Sequence, residues 1–375
     1  DGGKNWRGSQ VQGAYHLESI HFPTLTTGYT SGVEGIFKSV DGGETWLNIT
    51  PIDAVSLWGC YFLNENWGLV VGDGCVGNQS FYLTTDGGQN WKLFELHEPF
   101  SGMTDLMLYP NGLGYASGSG IIYQTLDSGR TWSVFRNTGT KIWQEEITNY
   151  NSSFLVPTSG NTCMGGGLMG GMRFSVNDGI GWREFNTPNS MFGTFLIDAN
   201  KGWACGYSKL VYYTSDGGQN WKMSNCGIDS GNLDDIWFNS PTDGWVVGEG
   251  VWRLTPDKLL MSDSTMDFGA VCLPYAKRDS IYIRNKSFDD ALVDVSITGM
   301  NASSFSLINP NALQFNMSSC DSLLVVVEFS PTTMGTKTAT LNLSVNGKPY
   351  YCLLSGRGAE ATAILTTDSV NSGNI

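Results

Sequence analysis

Thr84-Thr85-Asp86-Gly87-Gly88-Gln89-Asn90-Trp91 is the stretch on which the fold turns. It sets a hydroxyl residue two positions before an aspartate, then a glycine pair, then a tryptophan. The carboxylate of such an aspartate accepts hydrogen bonds from turn backbone N–H groups, and glycine supplies the positive φ that a tight turn needs. The hydroxyl caps the turn from the other side, and the tryptophan opens the next strand and packs inward. The same order recurs at Ser39 to Trp46, Thr125 to Trp132, Ser175 to Trp182 and Thr214 to Trp221, and in shortened form at Asp1 to Trp6. Asn177 stands where the other copies carry Asp, and Thr255-Pro256-Asp257 looks like a copy that has lost its glycine and tryptophan.

Each copy ends a larger unit. One unit reads Val55 to Phe62, then Asn66-Trp67-Gly68-Leu69-Val70-Val71-Gly72, then Phe81-Tyr82-Leu83-Thr84. Two others run from Gly193 to Thr214 and from Leu233 to Leu254. Short strands joined by hairpin turns, repeating every 40 to 50 residues or roughly so, have the length of a propeller blade. Six such units begin near Tyr15, Val55, Met103, Ile142, Met191 and Leu233. Lys4 to Gln10 supplies only an outer strand, and pairing it onto the last unit closes the ring and removes a free edge. The expected fold is all-β: a six-bladed β-propeller over residues 1–260. Seven blades, the alternative, need a strand set upstream of Asp1.

The recurring segment resembles the Asp-box, or BNR, repeat. The resemblance implies a structural role for Asp1, Asp41, Asp86, Asp127, Asn177 and Asp216, and for Trp6, Trp46, Trp91, Trp132, Trp182 and Trp221. Turn capping already uses the aspartate oxygens, so calcium ligation is disfavoured. Regular placement likewise marks the tryptophans as packing residues rather than carbohydrate platforms.

At Asp267-Phe268-Gly269 the pattern changes to β-branched alternation without tryptophan. Six or seven strands over about 90 residues make a sandwich-sized span, so residues 261–358 are expected to form an immunoglobulin-like β-sandwich. Ser330-Pro331, Gly335 to Leu341 and Leu354 to Gly358 make this stretch similar to ASH or choice-of-anchor D modules. Residues 359–375, rich in Thr, Ser and Asn, read as a linker or tail.

Composition narrows the function. With 35 acidic against 21 basic residues, the net charge is -14. A surface this acidic repels phosphate backbones, so nucleic-acid binding is disfavoured. The longest strongly apolar run, Leu323 to Val327, is far shorter than the ~20 residues of a membrane helix, so no membrane insertion is expected. The chain opens at Asp1 without an n-region or h-region and is read as a mature or trimmed exported form. Eight cysteines with no C-x-x-C pair and only three histidines argue against zinc and for disulfides. Cys60 with Cys75, and Cys205 with Cys226, flank strand-turn-strand units and are the expected pairs.

Two catalytic alternatives carry Asp-boxes. Sialidases carry Asp-boxes but need an arginine triad, and arginine is scarce here. Xyloglucan-cleaving glycosidases use two aspartates. The adjacent pairs Asp234-Asp235 and Glu145-Glu146 point to opposite faces of a strand, and read as solvated strand-end charges. Cys163 to Met172 is not a phosphate loop; Met164, Leu168, Met169 and Met172 make it a candidate partner loop. Ser264, Ser280, Ser322 and Ser369 follow aspartates in a pattern that resembles a Bacteroidetes O-glycosylation signal.

The repeats most resemble propellers related to the photosystem II assembly factor, whose relative binds a membrane protein through a basic surface. Joined to a choice-of-anchor D module, they look like exported Bacteroidetes proteins, many of which use type IX secretion. The expectation is a non-enzymatic, secreted or cell-surface (outer membrane-associated) binding and scaffolding protein. No cofactor is expected, and the propeller face would take a protein or glycan. A sialidase-like hydrolase and a subunit of a surface layer or filament are the alternatives.

Overall fold

The structure, a computed structural model, describes residues 3–52, 54, 56–72, 79–96, 102–137, 143–159, 170–228, 230–241, 243–254, 259–310 and 313–360. The chain divides into two compact units, Asp1–Leu254 and Thr255–Ile375. Apart from one short 3-10 turn, Ala302–Ser304, the described elements are all strands.

The first unit holds six antiparallel sheets in chain order. Sheet one consists of Leu17–His21, Gly28–Gly32, Gly35–Ser39 and Leu47–Asn48. Sheets two, three and five repeat that order, with first strands Leu57–Phe62, Met103–Leu108 and Met191–Leu196. Sheet four has a first strand broken into Trp143–Gln144 and Thr148–Tyr150, both paired with Ser153–Ser159. Sheet six has three strands, Leu233–Ser240, Asp243–Gly248 and Val251–Leu254. Lys4 to Gln10 forms no strand, so the expected outer strand there is not made. Its tryptophan, Trp6, sits edge-on to Trp245 of sheet six instead, with ring centroids 5.7 Å apart.

The second strands explain the Gly-aromatic pattern. In sheets one, two, three and five every residue of the second strand is buried, and glycine begins and ends it. A Cβ at Gly72 or Gly206 would run into the carbonyl oxygen of Ser56 or Ser190, just before the first strand. Absence of a side chain there lets the two strands meet.

The box turns share one bonding scheme. Gly88 N–H donates to Thr84 Oγ1 (2.8 Å), and that hydroxyl donates to Asp86 Oδ1 (2.9 Å). Asn90 then donates its backbone N–H to Asp86 Oδ1 (2.9 Å) and its side-chain amide to Oδ2 (2.7 Å). Ser39, Thr125, Ser175 and Thr214 do the same in their turns. Asn177 keeps the backbone part of the scheme, its Oδ1 accepting from Gly181 N–H as Asp86 Oδ1 accepts from Asn90 N–H, while Gly181 has no side chain to match the bond from Asn90 to Asp86 Oδ2. Asp1 lies outside the described residues.

Successive sheets are tied through these turns. Trp132 of sheet three stacks on Phe81 of sheet two at 4.5 Å, and Trp91 Nε1 of sheet two donates to Ile49 O (3.0 Å). Trp46, Trp182 and Trp221 are also partly buried. Lys38 Nζ reaches Gly87 O (2.9 Å), and Arg136 Nε reaches Asp178 O (2.6 Å).

Two expectations need correction. Cys60 and Cys205 are free, buried thiols, so neither expected disulfide forms. Cys60 lies in a first strand with Sγ directed at Tyr29 O, and Cys205 lies in the buried second strand of sheet five, so both point into packed interior. Cys226 and Cys320 are each disulfide-bonded, and Cys75 lies outside the described residues. Met172 is a core residue packed between sheets four and five, because alternation along Gly170–Ser175 turns it inward. Met164, Leu168 and Met169 lie outside the described residues.

The second unit packs two sheets face to face. One orders Leu259–Met261, Lys277–Asn285, Ser322–Phe329 and Phe305–Asn309. The other orders Thr265–Cys272, Lys348–Ala359, Gly335–Val345, Ala291–Thr298 and Gln314–Met317. Phe268, Phe305 and Phe329 meet at the centre of their shared core. Ser264, Ser280 and Ser322 are exposed, and Asp279 and Asp321 accept from the backbone N–H of the serine that follows each. Ser369 lies outside the described residues.

Thr125→Val keeps shape but strands Gly129 N–H. Urea unfolding followed by tryptophan fluorescence is expected to show a loss of about 1–3 kcal/mol, the cost of an unsatisfied buried donor.

Candidate functional site

The first strands carry a shared irregularity. Register shifts by one residue between Leu17 and Ser19, between Leu57 and Gly59, and between Leu233 and Asp235. Sheets three and five shift at the corresponding place, and in sheet four it falls in the break between Gln144 and Thr148. Such bulges re-aim side chains and recur beside functional sites. Here the extra residues are Glu18, Trp58, Thr104, Glu145, Phe192 and Asp234. The residues that follow them are Ser19, Gly59, Asp105, Glu146, Gly193 and Asp235.

Six carboxyl groups therefore fall into two sets by bulge position, and their mutual repulsion runs within the sets and, from Asp234 to Asp235, between them. Glu18 feels Asp234, and Glu145 feels Glu18. In the second set Asp105 feels Asp235, and Glu146 feels both. Asp105 and Asp235 belong to sheets three apart in chain order, so their interaction places both on one central space. Asp235 keeps contact with solvent.

Enclosure shifts the proton equilibria. Burial pushes Asp105 and Glu145 up to about 7. Burial, reinforced by Asp235 and Asp105, holds Glu146 well above the usual carboxylate range. Burial also raises Asp235, Asp234 and Glu18. Hydrogen bonds hold the groups in place: Trp143 Nε1 donates to Glu145 (2.6 Å), Thr194 N–H to Glu146 (2.5 Å) and Ile147 N–H to Asp105 (3.2 Å). His16 Nε2 lies 2.8 Å from Glu18. His21, accepting from Phe62 N–H through Nδ1, is pushed down to about 4 by burial and stays neutral. Aromatic rings frame the acids, with Trp58 edge-on to Trp143 at 5.8 Å and Phe192 against Tyr207 at 4.5 Å.

The reading of Glu145-Glu146 as solvated strand-end charges is corrected, because both are partly buried and bonded, Glu145 to Trp143 and Glu146 to Thr194, while Asp234 and Asp235 are exposed as expected. A bulge cancels the strict alternation on which the opposite-face argument rested. Glu18 and Asp105 were missed altogether. A signal existed: Asp105 and Asp235 each precede the closing glycine of the next strand, Gly118 and Gly248, by thirteen residues (118 − 105 and 248 − 235).

No first strand of the six sheets carries Arg or Lys. The arginines of the first unit lie in the N-terminal segment, a box turn, outer strands and two third strands, where buried Arg173 pairs with Glu184 (3.1 Å) and Arg253 with Asp243 (2.7 Å). An arginine triad at the carboxyl sets is therefore absent among the described residues. Also among the described residues, no group of three or more His, Cys, Asp or Glu could hold a metal ion. The box aspartates are fully occupied by their turns.

Residues 2–161 match the family described as photosynthesis system II assembly factor YCF48, and residues 212–223 match the BNR/Asp-box repeat. The chain carries a Ycf48-like Asp-box propeller domain. It is 26% identical over 211 residues to a probable oligoxyloglucan-reducing end-specific xyloglucanase of Neosartorya fischeri, covering 50% of this chain. The chain spans only 24% of that protein's length. It is 26% identical over 243 residues to the photosystem II assembly lipoprotein Ycf48 of Synechococcus sp., covering 60% of this chain and 68% of that one. Among solved structures, YCF48 bound to D1 peptide is similar at 21% identity and a TM-score of 0.40, covering 65% of this chain and 92% of that one.

Two sets of carboxyls pull stability in opposite directions with pH. Hydrogen bonds from Thr45 hold Asp41 down to about 2, and those from Asn90 lower Asp86, so the box contribution is complete above pH ~4 and fades as pH falls toward 2. The carboxyls of the two sets are raised, so their folded state holds protons that the unfolded chain releases near pH 4. Their contribution is present at acidic pH and fades as pH rises from about 4 through about 7. Thermal unfolding is expected to be highest near pH 4 to 5 and lower at pH 8 by about 5 °C or more. Asp105→Asn is expected to reduce that drop; an unchanged profile in this variant would show that these carboxyls do not titrate as described.

Proposed function

We propose that this protein is a non-enzymatic binding and scaffolding protein, secreted or displayed at a cell surface. The six sheets are the blades of a propeller whose central passage receives a basic segment of a protein partner. The second unit is an immunoglobulin-like module of the choice-of-anchor D kind and acts as a spacer. The carrying observation is the two sets of carboxyls, Glu18, Glu145 and Asp234 and then Asp105, Glu146 and Asp235, on first strands without a single Lys or Arg. An incoming ammonium or guanidinium would meet several acceptors in a partly dehydrated space, where charge pairing is stronger than in open water. Trp58, Phe192 and Tyr207 beside the acids suit the aliphatic stems of Lys and Arg, or stack on a guanidinium. Proton release from the carboxyls would accompany binding near neutral pH.

A hydrolase is the rival that the xyloglucanase similarity brings forward, and two carboxyls near 7 could in principle serve as acids. Against a sialidase-like hydrolase, no first strand of the six sheets carries an arginine that could bind a substrate carboxylate. Isothermal titration with a lysine- and arginine-rich peptide at pH 7.5 is expected to show binding that weakens with salt. Asp105→Asn combined with Asp235→Asn is expected to weaken it by about tenfold or more. Equal binding of a glutamate-rich peptide would sink the proposal. Release of sugar from xyloglucan oligosaccharides or sialosides would give the rival its place.

A further inference from the structure

We propose that the outer face of the four-stranded sheet in the second unit docks on the same face of a second copy of this chain, with Arg284 of each copy set against Glu328 of the other. The inference stands apart from the carboxyl sets of the first unit.

Period-two alternation builds this face. Ile281 and Ile283 of Lys277–Asn285, and Val325 and Val327 of Ser322–Phe329, belong to the core of the sandwich. Ser280, Tyr282 and Arg284, with Leu324, Val326 and Glu328, therefore point outward. Leu260, between the core-packed Leu259 and Met261, joins them. The outer face of an antiparallel sheet is ordinarily polar. This one carries Leu260 (51% exposed), Tyr282 (60% exposed) and the partly exposed Leu324 and Val326. They are neighbours, because Leu260 lies opposite Arg284, Tyr282 opposite Leu324 and Ser280 opposite Val326.

One end of this apolar strip holds a cation without a partner. Among the described residues Arg284 makes no ion pair, and its Nε, closed off from solvent, has no acceptor. Asp321, one residue before the Ser322 that lies opposite Arg284, accepts from Ser322 N–H instead. A buried guanidinium N–H without an acceptor is costly, so the face calls for a carboxylate from outside. The other end holds Glu328, bonded by Arg278 Nε (2.8 Å) and with further lone pairs to offer.

These two ends choose the partner. Arg284 lies opposite Ser322 and Arg278 opposite Glu328, so the midpoint of the strip falls between the Tyr282–Leu324 and Ser280–Val326 pairs. A two-fold axis through that midpoint, lying between the two faces and across the strands, turns every strand end for end. It brings the Arg284–Ser322 row of each copy onto the Arg278–Glu328 row of the other. Tyr282 and Leu324 then pack on the smaller Ser280 and Val326. Such a same-patch contact closes as a dimer, and facing sheets about 10 Å apart leave an arginine within reach of a carboxylate on the opposite face. Any other partner would have to bring the acid and the apolar strip separately; a second copy brings both by symmetry. Four strands by seven residues give a footprint of roughly 20 by 20 Å, at the small end for specific contacts, so the dimer is a transient one.

Sedimentation velocity of residues 1–375 tests this. Monomers are expected to pass reversibly to dimers as concentration rises from low micromolar to submillimolar. Arg284→Glu and Glu328→Lys, each alone, are expected to weaken association by about tenfold or more. An equimolar mixture of the two variants is expected to restore it, since every acid then meets a base across the contact, and that recovery also shows both variants to be folded. Tyr282→Lys is expected to prevent dimers. A chain that stays monomeric throughout would overturn the proposal. So would a dimer that Arg284→Glu leaves intact, which would place the contact on another face, and so would a mixture that associates no better than its two components.

Discussion

A buried hydroxyl at the end of the third strand in sheets one to five organises the first unit. Ser39, Thr84, Thr125, Ser175 and Thr214 each accept from a glycine N–H and donate to a carboxylate or amide oxygen two residues on. That single oxygen satisfies a turn donor that water cannot reach, and it fixes the carboxylate that caps the rest of the turn. The turn then delivers a tryptophan to the neighbouring sheet at a set height. Because the device is local, it tolerates exchange of Asp for Asn at 177, where only the accepting oxygen matters.

The same regularity makes the central carboxyls possible. A sheet tied at its outer edge to its neighbours leaves its first strand free to bulge, and the bulge comes at the same place in every sheet. Acids gathered there are costly to ionise together, which is why burial and mutual repulsion raise them. The surrounding β-structure supports that cost. Costs of this kind are found where a protein meets a ligand more often than where it merely folds.

Much of this was legible in residues alone. The box positions, the six strand units and the change of pattern near Asp267 follow from local turn chemistry and period-two alternation, which act over a few neighbours. The carboxyl sets were not legible in the same way. Alternation assigns Glu145 and Glu146 to opposite faces, and one inserted residue per strand cancels the assignment. The cysteine pairings failed for a related reason: flanking a hairpin in sequence does not decide whether Cys60 and Cys205 face outward or into packed strands. Met172 was grouped with its methionine-rich neighbours by composition, while strand alternation buried it.

By itself the sequence determined the turns, the strands and the number of described sheets, because hydroxyl, carboxylate and glycine interact within a span of eight residues. Only the tertiary structure decided which acids share a space, which thiols are buried and which apolar faces stay bare. Those depend on residues from sheets far apart in the chain, brought together by the curvature of the whole ring.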